Sequence, residues 1–312
     1  MSEEPGTGLA TSAPRLVVPG RATRAARPRA LLQAARPHQW LKNVLVLAAP
    51  GAAGVLLDPA VLARSAAAFA CFCLVASGTY VLNDAFDVEA DRLHPRKRSR
   101  PVAAGLIGVG TAKVCGLALL AAGLGLALLV AVPLVVVLLI YVVVMQSYTL
   151  WLKNHAVIEL AIVSSGFVLR AIAGGAATGV EISTWFLIVT SFASLFIIVG
   201  KRQAEGITLG DSAIGHRPVL AQYPPGFLPL LGGIAAGVAI IAYCLWSLIG
   251  VEHGHLWFEL SIIPFVLAML RYALVAAHGR AGAPEDVFLH DRTVQVLGLL
   301  WAAAYAAGVY AG

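Results

Sequence analysis

The chain has 312 residues, 59% of them hydrophobic and only 12% charged, with a mean hydropathy of +0.84. A water-soluble domain has too little interior to hide so much apolar side chain, so lipid must solvate most of this protein. The net charge of +6 does not point to nucleic acid: the bases sit in the N-terminal tail and in short gaps between apolar runs, where they encode membrane orientation.

Residues 1–39 mix Gly, Pro, Ser, Thr and Arg without the continuous apolar core of a cleavable signal peptide. They read as a partly disordered cytoplasmic tail. A bilayer takes about 20 apolar residues per helix, and that window finds nine spans in residues 40–312: 40–57, 61–83, 104–126, 129–150, 156–178, 183–200, 226–250, 257–277 and 294–311. The expected fold is an all-α integral membrane protein, a single nine-helix bundle over residues 40–312. Gly123, Gly125 and Pro133 place a tight turn near 126–129, inside an otherwise unbroken apolar run. With the N-terminus in the cytoplasm, 20 of the 22 Lys and Arg fall on the inner side, which supports both the count and the orientation. Cys71, Cys73, Cys115 and Cys244 lie in apolar runs and serve as small hydrophobes. Gly175/Gly179 and Gly233/Gly237 have the spacing of close helix packing.

Charge concentrates at the end of the second span, in "LNDAFDVEADRLHPRKRSRP" (82–101). Asn83, Asp87 and Asp91 are spaced i, i+4, i+8, and Asp84 precedes Asp87 by three, so all four share one helix face. Each carboxylate costs about 2.5–3.5 kcal/mol at a bilayer centre, so something must compensate. Oxygen clusters of this kind hold hard cations, and Mg²⁺ is usually bound by carboxylates together with substrate phosphate oxygens. Glu89 points off that face. Two prolines turn the following stretch into a loop, whose Arg92, Arg96, Lys97, Arg98 and Arg100 suit phosphate groups. His94 in that loop either contacts phosphate or packs. The plainer alternative is a hydrated helix end, its acids paired with Arg92 and Arg96 and its bases an orientation signal. The one-face register and the Asn at its head favour a functional site.

The pattern N-D-x-x-D-x-x-x-D followed by R-x-R-P resembles the first signature of the UbiA superfamily of membrane prenyltransferases. The resemblance implies a nine-helix bundle that binds Mg²⁺-diphosphate at its cytoplasmic side. Asp84, Asp87 and Asp91, assisted by Asn83, would hold the metal. Stretches 36–50, 91–101, 147–160, 200–205 and 284–292 are similar to the branch that transfers phosphoribosyl groups to polyprenyl phosphates for cell-wall arabinan precursors. The implied partners are phosphoribosyl diphosphate, a decaprenyl-type phosphate and the lipid of the inner (plasma) membrane. Where aromatic prenyltransferases carry a second aspartate-rich motif, this chain reads "GKRQAEGITLGD", and Lys201 and Arg202 would meet an anionic donor directly.

Ionisable and polar groups inside a membrane are functional candidates by default. Gln146, Tyr148, Lys153, Glu159 and Arg170 cluster around the fourth and fifth spans. Glu159 and Arg170, eleven residues apart, share a helix face. Lys153 reaches a phosphate or Glu159, and Glu159 meets ribose hydroxyls; the alternative for both is a structural salt bridge. Lys42, beside Asn43, either snorkels or meets substrate. His253 and His255 lack a third metal ligand, and "GLIGVG" lacks the strand of a dinucleotide loop. Two rival functions stay open: prenyl transfer to an aromatic acceptor, and transport. Lipid chain length and oligomeric state, a homo-oligomer included, are left open.

Overall fold

The computed structural model describes residues 26–93, 97–209, 218–250 and 255–310. These form helices α1 (Ala26–Ala35), α2 (Ala48–Ala52), α3 (Pro59–Phe86), α4 (Val88–Leu93), α5 (Val109–Val130), α6 (Val132–Leu150), α7 (Ile158–Thr178), α8 (Thr184–Leu209), α9 (Phe227–Ile249), α10 (His255–Ala277), α11 (Pro284–His290) and α12 (Arg292–Tyr310). Four short 3₁₀ segments lie between them, at Pro37–Leu47, Lys97–Ser99, Leu152–Asn154 and Pro218–Gln222. No strand occurs among the described residues. Eight of the helices are long and apolar enough to cross a membrane: α3, α5, α6, α7, α8, α9, α10 and α12. The protein is an integral membrane protein.

The expected ninth span, 40–57, is not one long helix. It folds as the 3₁₀ segment Pro37–Leu47 followed by the five-residue α2, and the chain turns at Gly54 with φ 74°. Pro50, inside α2, has no N–H to give the preceding turn, and the polar side chains of the 3₁₀ segment face protein. Trp40 donates to Ser77 of α3 (3.0 Å), and Asn43 accepts from Arg170 of α7 (2.7 Å). Gly174 of α7 makes this approach possible: a Cβ there would stand 1.9 Å from the Val46 carbonyl oxygen. Part of the expected tail is also ordered, since α1 buries Ala30 and Ala34 against α3.

Local chemistry sets the other boundaries. Asp58 caps α3, accepting from the amides of Ala60 (2.8 Å) and Val61 (3.1 Å) ahead of Pro59 in the first turn. The break between α5 and α6 falls at Ala131, which is extended (φ −167°, ψ 138°), and not at 126–129. Gly123 stays helical because it packs against α3, where a Cβ would meet Val75 at 2.7 Å; Pro133 sits in the first turn of α6, where its missing N–H costs nothing. Gly78 and Gly116 bring the same two helices together. Gly233 and Gly237, by contrast, have nothing within 4 Å of an added Cβ, and Gly179 ends α7 in the left-handed conformation. Helix α8 runs nine residues past the expected end of its span, so Lys201 and Arg202 lie on a helix and not in a loop.

One apolar cluster joins α3, α5, α6 and α7, with Phe72 edge-on to Tyr141 (4.8 Å). A second joins α8 to α12 around Phe196, Ala239, Met269 and Tyr272. Consecutive spans alternate in direction, so α3, α6, α8 and α10 end on the side where α5, α7, α9 and α12 begin. Most of the polar network gathers at that end.

Candidate active site

Helix α3 stops at Phe86, and Asp87 takes φ −90°, ψ 10°. The register still crosses this break, because the Asp87 amide donates to the Asn83 carbonyl (2.9 Å) and the Asp91 amide to the Asp87 carbonyl (2.8 Å). Asn83, Asp84, Asp87 and Asp91 therefore remain on one face. Asp84 and Asp91 are each 1% exposed, and the Asp87 side chain is 30% exposed.

Cations ring this face. Arg100 bridges Asp84 Oδ1 (3.1 Å) and Asp91 Oδ2 (2.7 Å) through one Nη1. Arg36 donates to Asp84 Oδ1 and also lies over the Tyr80 ring. Lys97 stands 3.8 Å from Asp91, and Lys153, just beyond α6, bonds Asp87 Oδ1 at 3.0 Å. The acids are thus ion-paired, but with Arg100 and Arg36 and not with Arg92. Arg92 instead bonds the solvated Glu89 (2.9 Å) and the Ala103 carbonyl, about 100° around the helix from Asp91. Arg98 is exposed. Arg96, His94 and His253 lie outside the described residues.

Two acceptors on the acid face, Asn83 Oδ1 and Asp84 Oδ2, are buried without a hydrogen-bond partner. Buried oxygens are rarely left so. They are hard donors of the kind Mg²⁺ takes, and with Asp87 and Asp91 the set fits such an ion in chemistry. In the arrangement described, Arg100 and Lys153 supply the positive charge, and no three carboxylates among the described residues converge on one point. Holding a cation requires those side chains to yield.

Glu159 and Arg202 form a second, closed unit. Arg202 donates Nε to both Glu159 oxygens (2.8 and 3.1 Å) and Nη2 to Oε2 (2.8 Å), and both residues are almost fully buried. Arg202 also reaches Glu205 (3.0 Å), and the Tyr223 hydroxyl lies 3.4 Å from Glu159. In this arrangement Glu159 and Arg202 satisfy each other, the salt-bridge alternative for Glu159, and neither is left open to ribose or phosphate. Tyr148 lies near Arg202, and Lys201 stands 3.9 Å from Glu205. Arg170 does not join Glu159: eleven helical residues span about 16 Å. It bonds Asn43, the Tyr141 hydroxyl (3.2 Å) and the Gly166 carbonyl (2.6 Å), sandwiched near the Phe72 and Tyr141 rings.

A third group was not legible beforehand. Gln39 donates to Glu285 Oε1 of α11 (2.8 Å), and Lys42 bonds Gln39 and stands 3.3 Å from Glu285 Oε2. Burial alone would push the Glu285 carboxyl up; Lys42, Gln39 and the nearby Lys201 outweigh it and hold it below the usual range. Arg36 and Gln39 lie within or beside stretches the sequence singles out, but their partners are 48 and 246 residues away. Gln146, one turn before the end of α6, has both amide atoms buried and unpartnered.

Comparison with known proteins agrees with this architecture. Residues 44–302 match the UbiA prenyltransferase family. The chain is 43% identical over 287 residues to the decaprenyl-phosphate phosphoribosyltransferase of Corynebacterium glutamicum, covering 90% of this chain and 86% of that one. It is 41% identical to the protein of the same name from Mycobacterium tuberculosis, covering 90% and 95%. A UbiA homologue from Archaeoglobus fulgidus, solved bound to GPP and Mg²⁺, superposes with a TM-score of 0.66 over 90% of this chain and 98% of its own, at 18% identity.

Proposed function

The chain belongs to the UbiA prenyltransferase family, and from that premise we propose that it transfers the 5-phosphoribosyl group of phosphoribosyl diphosphate to a long polyprenyl phosphate, decaprenyl phosphate among them, releasing diphosphate. The observation that carries the reading is the acid face of α3 and α4 ringed by Arg36, Lys97, Arg100 and Lys153. Relatives named for this reaction, at 41–43% identity over nine-tenths of the chain, support the substrate class.

Asn83, Asp84, Asp87 and Asp91 are the residues that would hold Mg²⁺, which when bound neutralises the diphosphate. Arg100 and Lys153 exchange a carboxylate for a phosphate oxygen as donor enters, and guanidinium grips two such oxygens at once. The reaction requires no strong general base. A phosphate monoester loses its second proton near pH ~6, so the acceptor arrives as an oxyanion. Its oxygen forms a bond to the anomeric carbon while the bond from that carbon to diphosphate breaks, with inversion. Water-facing cations draw in the donor, and the prenyl tail lies along exposed apolar helix surface such as Leu139, Ile140 and Val143 of α6. The reaction takes place at the cytoplasmic face of the plasma membrane.

The test is competitive. Purified protein in vesicles receives polyprenyl phosphate with equal phosphoribosyl diphosphate and isoprenyl diphosphate, and products are identified by mass. Polyprenylphosphoryl 5-phosphoribose and free diphosphate are expected; prenyl transfer alone would overturn the assignment.

A further inference from the structure

Among the described residues, Gln146 has two separate side-chain polar atoms buried without a partner, the donor Nε2 and the acceptor Oε1. It lies on α6, which packs on α3. Just beyond the end of α6, Lys153 bonds Asp87 at 3.0 Å, so the inner end of this helix abuts the acid face. Asn83 Oδ1 and Asp84 Oδ2, also unpartnered, occupy the last turn of α3. These unsatisfied groups lie within about a turn of the ends of two packed helices, at the end where Lys153 meets Asp87, and a polar ligand entering there would supply partners.

The chemistry of the amide narrows that ligand. Nε2 donates and Oε1 accepts. A diphosphate offers only acceptors, so it satisfies the nitrogen and leaves the oxygen bare. A prenyl chain satisfies neither. A hydroxyl does both, and a vicinal diol can bond both ends of the amide at once. Glu159, which the sequence pattern offers for ribose hydroxyls, is consumed by Arg202. We propose that Gln146 reads the ribose 2,3-diol of the donor and is the residue by which this site selects a sugar diphosphate over a prenyl diphosphate. The proposal rests on the phosphoribosyl-transfer reading and specifies how the substrate is recognised. A site built to bond a hydroxyl rejects an analogue lacking it, because its own polar group is then left bare.

The experiment compares phosphoribosyl diphosphate with its 2-deoxy and 3-deoxy analogues in wild-type protein and in Gln146→Leu and Gln146→Asn, in vesicles with polyprenyl phosphate. Wild type should discriminate against at least one deoxy analogue by about tenfold or more in kcat/KM. Gln146→Leu should level that ratio, while its thermal stability stays at or above wild type, because an unpartnered amide has been removed. Gln146→Asn keeps both ends of the amide but withdraws them by one methylene; it should raise KM for the donor and blunt the ratio without loss of stability. Wild type that ignores the missing hydroxyl, or variants that discriminate as wild type does, would overturn the assignment. If wild type transfers no phosphoribosyl group at all, the transferase reading fails and the assignment falls with it.

Discussion

Replacing Glu159 with Gln keeps the shape of the side chain and removes its charge. The carboxylate takes three hydrogen bonds from Arg202, at 2.8, 3.1 and 2.8 Å, in a site where both partners are at most 2% exposed. Breaking one side of such a pair typically costs about 3–5 kcal/mol, because the surviving charge stays buried. Arg202 retains Glu205 at 3.0 Å, a partner 22% exposed, which places the loss at the lower end, about 3 kcal/mol. That is roughly a hundredfold in the folded-to-unfolded ratio. Thermal unfolding of detergent-purified Glu159→Gln should show the drop, with activity per folded molecule falling by less than about tenfold. Glu159→Leu combined with Arg202→Met should recover most of the stability, since an apolar pair of similar volume removes both buried charges. A Glu159→Gln protein as stable as wild type but poor in kcat/KM would refute this account and return Glu159 to the substrate.

Gly174→Ala would set a Cβ 1.9 Å from the Val46 carbonyl and should cost about 3 kcal/mol or more, read as lost yield of folded protein; Gly233→Ala, with nothing within 4 Å, should be neutral or gain up to about 1 kcal/mol. Arg36 holds φ 53° while bonding Asp84, so Arg36→Gly and Arg36→Ala both lose the ion pair, but the glycine variant should be the more stable by about 1 kcal/mol in the same melt. The Glu285 carboxyl titrates below its usual value of 4.5, so its tie to Lys42 and Gln39 contributes stability above that pH and loses it as pH falls through the lower folded-state value. Glu285→Gln should therefore be less stable than wild type at pH 7, and the two should converge in acid.

Hydropathy alone located eight of the nine expected spans, because a lipid-facing helix needs apolar residues along its whole length. Over 40–57 the helix is shorter and less regular than expected, where Trp40 and Asn43 bond protein and Gly174 admits the backbone. The acid face was legible as well, since i, i+4 spacing survives a break that keeps its hydrogen bonds. What spacing could not supply was the partner of each charge. Glu159 and Arg170 share a face yet lie three turns apart, and each is satisfied by a different helix. Arg36 finds Asp84 across 48 residues and Gln39 finds Glu285 across 246, pairings that only the packed bundle creates.

The central claim is that the carboxylates of this face bind a divalent cation on which phosphoribosyl transfer depends. Asp87 is the most direct probe, because its side chain is 30% exposed and its replacement does not bury an unpaired charge. Transfer should be measured against Mg²⁺ concentration for wild type and Asp87→Asn. The account predicts no transfer in chelator, recovery on adding Mg²⁺, and a half-saturating Mg²⁺ concentration raised by about tenfold or more in the variant. Undiminished transfer in chelator, or an unshifted Mg²⁺ dependence in Asp87→Asn, would contradict it.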